Sequence, residues 1–200
     1  EGRVFKEGTP LEVITPDAIE QTFGVIAMVY SDLGSGPLVV NAALSRPRRG
    51  DGQNREKHIH VIGGGGSAAG IMQRLRLEGY RVTVGVLNQG DTDFSAAGAL
   101  GVEAVVVPPF AAIDDASHRR NRELAAQANI CLVADVPFGR GNLRNLEAAA
   151  AARRLVLVDD TPIVRRDFTG GAATALYATL KARALCTSAA DLESVLARSA

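Results

Sequence analysis

The stretch between His58 and Tyr80 constrains the fold of this chain more than any other. Its opening residues, 59–62, are mostly β-branched, four consecutive glycines follow, and apolar residues then recur at helical spacing from Ile71 onward. This order predicts a strand, a tight turn and a helix. Because a helix N-terminus presents unpaired N–H groups and a positive dipole end, the turn is a candidate binding site for an anion.

The glycines of this turn have two explanations. Gly64, Gly66 and Ala69 match the G-x-G-x-x-A pattern of dinucleotide-binding turns. They also suit a sharp strand-to-helix corner that binds nothing, because glycine adopts positive φ without strain. A second glycine-rich helix start, at residues 169–171, favours the binding explanation if it faces the same anion.

Beyond this stretch the chain alternates β-rich runs with helical segments. Five β-rich runs are each followed by a helix: residues 59–62, 81–87, 102–107, 130–134 and 155–158. The alternation predicts an α/β fold with a doubly wound, mainly parallel, five-stranded Rossmann-like sheet. His58 and His60 alternate onto one face of the first strand, where packing is a better explanation than metal binding.

Ligands of such sheets bind beyond the carboxyl ends of the strands. Polar and glycine-rich segments at these ends predict a ligand-binding set, with no catalytic residue and no metal ligand: Gly63, Gly64, Gly65, Gly66, Ser67, Asn88, Asp91, Asp93, Asp135, Phe138, Gly139, Gly141, Asn142, Thr169, Gly170 and Gly171.

The chemistry of this set points in two directions. Its glycine-rich helix starts favour a phosphate-bearing ligand such as a nucleotide, with or without Mg²⁺, whereas its aspartates disfavour an unshielded phosphate. A hydroxyl-rich ligand would also resolve the conflict. For each aspartate alone, capping of a helix N-terminus is at least as good an explanation as ligand contact.

The composition restricts the class of protein. The chain has 200 residues, of which 46% are hydrophobic, and this suits one α/β domain with a small appendage. Its 22 basic and 22 acidic residues balance, so its charge indicates neither a nucleic-acid partner nor a lipid surface. Cys131 and Cys186 stand far apart in apolar runs, as buried thiols in a reducing compartment do. No apolar run approaches the roughly 20 residues of a membrane helix.

The chain before the glycine turn divides into two parts. Residues 1–44 predict a strand over 3–8, helices that begin after Thr9 and Thr15, and a β-hairpin. Residues 45–57 are rich in proline, glycine and charge, and predict a linker. Residues 58–200 form the Rossmann-like domain.

Two resemblances to known proteins follow from these segments. The run GRVFKEGTPLEVITPDAIEQTFGV, followed by a hairpin that ends in PLVV, resembles the tail after the ATPase core in ATP-binding subunits of ABC importers for iron chelates, siderophores, haem and cobalamin. The chain has no G-x-x-x-x-G-K-[ST] motif and no LSGGQ-like signature, so we do not expect this part of the protein to hydrolyse ATP.

The second resemblance covers residues 59–181. The runs LVADVPFGRGNLRNLEAA and DFTGGAATALY are similar to an extra C-terminal domain that some archaeal and bacterial cobalamin or iron-chelate importer ATPases carry. The double-glycine helix starts also resemble those of the SLOG group of nucleotide-binding Rossmann-like proteins. These resemblances imply two protein partners, the ABC ATPase core of the same polypeptide and transmembrane permease subunits. They also imply a cytoplasmic position at the inner face of the cell membrane.

Three functions are compatible with these observations. The leading hypothesis is an accessory, regulatory ligand-binding domain of an importer ATPase. An enzyme acting on a nucleotide or a corrinoid-related substrate, with Asp135 or Asp91 as acid or base, is the first alternative. The second alternative is a structural module that forms a homodimer through the N-terminal helix and hairpin.

Overall fold

The computed structural model describes residues 4–23, 26–31, 38–43 and 57–198, which belong to two compact units, Glu1–Arg49 and Gly50–Ala200. In the first unit, helices α1 (Pro10–Val13) and α2 (Pro16–Phe23) precede an antiparallel hairpin of strands β1 (Ile26–Ser31) and β2 (Leu38–Ala43). The hairpin turn and most of the predicted linker, residues 45–56, lie outside the described residues, so the exact domain boundaries stay a prediction.

Each helix of the first unit begins at a Thr-Pro pair. Proline suits the first helical position because its missing N–H needs no partner there. The Thr9 N–H and hydroxyl both donate to Glu12 Oε2, at 2.9 and 2.8 Å, and Thr15 Oγ1 accepts the N–H of Ala18 at 3.2 Å. The strand predicted over residues 3–8 was wrong for its described part, because residues 4–7 have no regular secondary structure.

The second unit is an α/β fold. Strands and helices alternate in this order: β3 (His58–Ile62), α3 (Ala69–Leu77), β4 (Arg81–Asn88), α4 (Thr92–Ala99), β5 (Glu103–Val107), α5 (Asp115–Gln127), β6 (Ile130–Val133), α6 (Leu143–Ala149), β7 (Leu155–Val158), α7 (Ile163–Arg166), α8 (Ala172–Lys181), β8 (Leu185–Thr187) and α9 (Leu192–Arg198). The six strands pair only in parallel, in the order β5-β4-β3-β6-β7-β8. This confirms the predicted doubly wound, Rossmann-like fold class.

The sheet has one strand more than the five predicted. The additional strand, β8, is three residues long and lies at an edge, and Leu185 and Cys186 are exposed. Short exposed strands lack the continuous apolar run by which buried parallel strands are recognised. The helix α7 was also not predicted, because four residues are too few to show a helical period.

The core lies between the sheet and its helices. Strands β3, β6 and β7 are buried at every residue, as a parallel sheet covered on both faces requires. Helix α3 packs with α4, and α6 packs with both α5 and α8. Among the described residues, no helix is long and apolar enough to cross a membrane.

A chain of hydrogen-bonded side chains crosses this apolar core. Thr83 Oγ1 lies 2.8 Å from both His58 Nε2 and His60 Nδ1, and His60 Nε2 lies 2.8 Å from Asn121 Oδ1. Asn121 Nδ2 then donates to Asn145 Oδ1 at 2.8 Å. These side chains are buried, so the chain satisfies polar groups that have no access to water.

The backbone of Val86 determines the direction of every link. Its N–H donates to Asn145 Oδ1 and its carbonyl accepts from Asn145 Nδ2, which fixes the orientation of that amide. Asn121 must then present Oδ1 to His60, so His60 carries its proton on Nε2 and accepts from the hydroxyl of Thr83 at Nδ1. Both ring nitrogens of a neutral His60 are therefore satisfied.

Candidate functional site

A cleft of about 830 Å³ opens at the carboxyl edge of the parallel sheet. It lies beside the point where the strand order reverses, between β3 and β6, which is where doubly wound sheets bind ligands. One wall is the glycine turn and the flank of α3, and the other is formed by the loops after β6, β7 and β8. The lining residues are Gly65, Gly66, Ser67, Gly70, Ile71, Gln73, Arg74, Asp135, Pro137, Val158, Asp160, Ala189 and Ala190.

Two N–H groups of the glycine turn, those of Gly64 and Ala68, are already bonded to a carboxylate of this chain. Asp93 Oδ2 accepts the N–H of Gly64 at 2.7 Å, and both carboxylate oxygens accept from Ala68, at 3.1 and 3.2 Å. Asp93 is fully buried. Burial raises its pKa, although the N–H groups of Ala68 and Gly64 oppose this shift. Asp93 thus occupies the place that a phosphate takes in a dinucleotide-binding turn.

Asp91 completes this arrangement. It caps α4, since its Oδ1 accepts the N–H of Asp93 at 2.7 Å, while its Oδ2 accepts the N–H of Gly65 at 2.9 Å. The turn approaches its own helix very closely at Gly63, where a Cβ atom would stand only 2.4 Å from that of Ala68. The space at this position therefore requires a glycine.

The second glycine-rich helix start also binds a carboxylate of this chain. Asp167 Oδ1 accepts from the N–H and hydroxyl of Thr169, at 2.8 and 2.5 Å, and its Oδ2 accepts from those of Thr174, at 2.8 and 2.6 Å. These bonds hold the pKa of Asp167 well below its usual range. Gly170 and Gly171 have positive φ, and neither they nor Thr169 line the cleft.

Asp135 is the predicted residue whose side chain carries a charge into the cleft. Its Oδ1 accepts the N–H of Thr161 at 3.2 Å and lies 3.1 Å from Nε of Arg166. Arg166 is 3% exposed and also donates to the carbonyl oxygens of Val136 and Thr161. A buried guanidinium needs such a partner, so Arg166 fixes the orientation of Asp135.

The other predicted residues support loops around the cleft without lining it. Asn88 donates to the carbonyls of Pro108 and Ala111, at 2.9 and 3.0 Å. Asn142 accepts the N–H of Gly139 at 2.7 Å, and Gly141 accepts that of Ile113 at 3.3 Å. Phe138 is fully buried in the core.

The cleft contains residues outside the predicted ligand-binding set. Gln73 and Arg74 lie on α3, Asp160 follows β7, and Ala189 and Ala190 precede α9. Arg74 Nη2 donates to the carbonyl oxygen of Ala189 at 2.5 Å, which joins the two walls. A usable sequence signal was the pair Gly70 and Arg74, because residues four apart share one face of a helix.

Metal binding has no candidate cluster in the part of the chain that the structure describes. No group of three or more His, Cys, Asp or Glu side chains there is arranged to hold a metal ion. The predicted nucleotide, with or without Mg²⁺, stays a prediction.

The fold and the cleft define a Rossmann-like α/β protein with a candidate ligand site at the switch in strand order. Residues 82–196 match the model of the MJ0874 family. This match covers more than half of the sequence, so the chain belongs to the MJ0874 family.

The cobalamin import ATP-binding protein BtuD of Halobacterium salinarum, in strains R1 and NRC-1, is 32% identical over 152 residues. The alignment covers 75% of this chain, and the chain spans 37% of the length of these relatives. The similarity supports the predicted relation to ATP-binding subunits of ABC importers. The likeness to the SLOG group stays a prediction.

One similar solved structure is AtPrR2 in apo form. It has a TM-score of 0.40 and 15% sequence identity, and the similarity covers 63% of this chain and 45% of that one. A similarity of this size carries no argument about the function.

Proposed function

We propose that this chain is an accessory, regulatory region of the ATP-binding subunit of an ABC importer for cobalamin or an iron chelate. Its parallel-sheet unit binds a small molecule and reports it to the transporter. The ATPase core of the same polypeptide and the permease subunits are its partners, at the cytoplasmic face of the membrane. The similarity to cobalamin import ATP-binding proteins supports the transport role.

The cleft of about 830 Å³ is the observation that carries the ligand-binding part. Its volume falls in the range of small-molecule sites, and doubly wound sheets bind ligands at this edge. One further feature is typical of a ligand site: a carboxylate, that of Asp135, held in place by a buried arginine. The regulatory role is part of the proposal and agrees with the lack of ATP-hydrolysis motifs in these 200 residues.

Filling the cleft tests this proposal. Gly70 lies in α3 and lines the cleft, and a Cβ atom there meets nothing within 4 Å. We therefore expect Gly70→Leu to project a side chain into the cleft, while the loss of a helical glycine raises stability by about 1 kcal/mol. Gly98→Leu is the matched control, because Gly98 is exposed, helical and equally unobstructed, and lies outside the cleft.

The assay is thermal unfolding of the 200-residue chain with cyanocobalamin, ATP, ADP or AMP. A ligand at about 100 times its dissociation constant adds about 2.7 kcal/mol to the free energy of unfolding. We expect this gain in the free energy of unfolding for the unmodified chain and for the control variant Gly98→Leu. We expect no gain for Gly70→Leu. A ligand that stabilises all three proteins equally would place its binding site elsewhere.

A further inference from the structure

We propose that the cleft is built for a ligand that presents hydroxyl, amide or amino groups, and that it discriminates against the phosphorylated form of such a ligand. This inference rests on the proposed small-molecule site and names its ligand class. Three observations support it: the bonded N–H donors of the glycine turn, the hydrogen-bond acceptors in the cleft, and the contacts that Arg74 already makes with Ala189 and Glu193.

Three of the donors that would bind a phosphate at this turn already have an acceptor within the chain. The N–H groups of Gly64 and Ala68 are bonded to the buried Asp93, and that of Gly65 is bonded to Asp91. A phosphate at this turn would have to displace two carboxylates that also cap and anchor α4. It would otherwise bind beside them, where like charges repel.

The cleft offers acceptors instead. Asp135 uses Oδ1 for Thr161 and Arg166, and among the described residues no partner is found for its Oδ2. Asp160 lies on the same wall and is exposed, and its only bonds in the described part of the chain come from the N–H of Ala189, at 3.1 and 3.3 Å. Carboxylates with free lone pairs bind hydroxyl, amide and amino donors.

Positive charge in the cleft is already paired. Arg74 donates to the carbonyl of Ala189, and its Nε lies 3.9 Å from Glu193 Oε1. Two carboxylates and one guanidinium line the cleft, which leaves its surface with a net negative charge. The amide of Gln73, for which no partner is found among the described residues, adds one further donor and acceptor for a neutral polar ligand.

Matched pairs of probes that differ only in a phosphate test this inference: adenosine and AMP, ribose and ribose 5-phosphate, ethanolamine and phosphoethanolamine. Their dissociation constants are measured by calorimetry on the 200-residue chain. We expect at least one unphosphorylated member to bind, about tenfold more tightly than its phosphorylated partner, because the cleft repels the added charge.

Asp160→Asn provides the second measurement. It removes one negative charge and keeps an acceptor for Ala189, so the selectivity within the binding pair should fall about threefold. A variant that is merely destabilised weakens both members equally and leaves their ratio unchanged. Asp115→Asn is the control. Asp115 lies on α5, outside the cleft, and pairs with Arg144 of α6, so this variant should keep the full selectivity.

The outcomes separate the two proposals. Tighter binding of a phosphorylated member, or a selectivity that Asp160→Asn does not change, overturns the ligand class and leaves the small-molecule site standing. If no member of the three pairs binds, the ligand class is overturned. Binding of cyanocobalamin or ATP that Gly70→Leu abolishes would still support the small-molecule site.

Discussion

Protonation of His60 is the perturbation whose size the structure defines best. The ring is fully buried, accepts from Thr83 at Nδ1 and donates to Asn121 from Nε2. Burial lowers the pKa of His60 to about 4, although the bond to Asn121 opposes this shift. A protonated ring would present a second N–H to a hydroxyl that is already directed at it, so the folded state favours the neutral form more strongly than the unfolded chain does.

The magnitude follows from the two pKa values. The unfolded chain binds the proton with a pKa of about 6.5, whereas the folded chain binds it at about 4. Between these values the unfolded state holds more protons, so stability falls as the pH falls. A difference of about 2.5 units corresponds to about 3 kcal/mol, fully present above about pH 6.5 and lost on descent to about pH 4.

Urea unfolding at a series of pH values from about 7 to about 4 measures this loss. Burial raises the pKa of Asp93, so its contribution to stability changes with pH in the opposite direction to that of His60. Burial lowers the pKa of His58, so its contribution changes in the same direction as that of His60. Subtraction isolates His60: the advantage of the unmodified chain over His60→Gln should shrink by about 3 kcal/mol across this range. Nitrogen NMR should show a protonated Nε2 and an unprotonated Nδ1 at neutral pH.

Two results would refute this reasoning. One is an advantage over His60→Gln that does not change with pH. The other is an NMR titration of His60 near the value of an exposed histidine. Either would mean that water reaches the ring or that the hydrogen-bonded chain is not formed as described.

Three further substitutions test other contacts. Gly85→Ala should lower the free energy of unfolding by about 1–3 kcal/mol, because its Cβ would lie 3.0 Å from Asn121 Oδ1. Gly98→Ala is the unobstructed control, and equal urea midpoints for the two variants would contradict the prediction. Asp93→Ala leaves two backbone N–H groups without their acceptor and should cost about 3 kcal/mol in the same assay; an unchanged midpoint would show that water replaces the carboxylate. Phe110 is fully exposed at φ 59°, so Phe110→Asn should raise stability by about 1 kcal/mol, and a lower melting temperature would reveal a packing role.

The fold was predictable wherever burial leaves a mark in the sequence. Strands β3, β6 and β7 are buried at every residue; β6 and β7 consist of apolar residues only, and β3 combines three apolar residues with two histidines. The edge strand β8 has no such run, because one side of it faces no further strand. Its position follows from tertiary contacts rather than from its own three residues.

The site was predictable only in part, because its partners come from distant segments. Sequence identified Gly65, Gly66, Ser67 and Asp135, which line the cleft. It could not show that the loop after β4 places Asp93 against the glycine turn, 29 residues away in sequence, where its carboxylate accepts the N–H of Gly64. Whether the predicted residues bind a ligand stays a prediction.

The hydrogen-bonded chain from His58 to Asn145 makes the docking of helices α5 and α6 selective. The surrounding core consists largely of Ala, Val, Leu and Ile, and such side chains tolerate several packings of similar energy. A rotation of α5 by one residue would turn Asn121 by about 100° and leave His60 with an unsatisfied nitrogen in an apolar surrounding. Arrangements of these helices that apolar contacts alone would allow are therefore disfavoured, and the two buried asparagines, Asn121 and Asn145, select a single register.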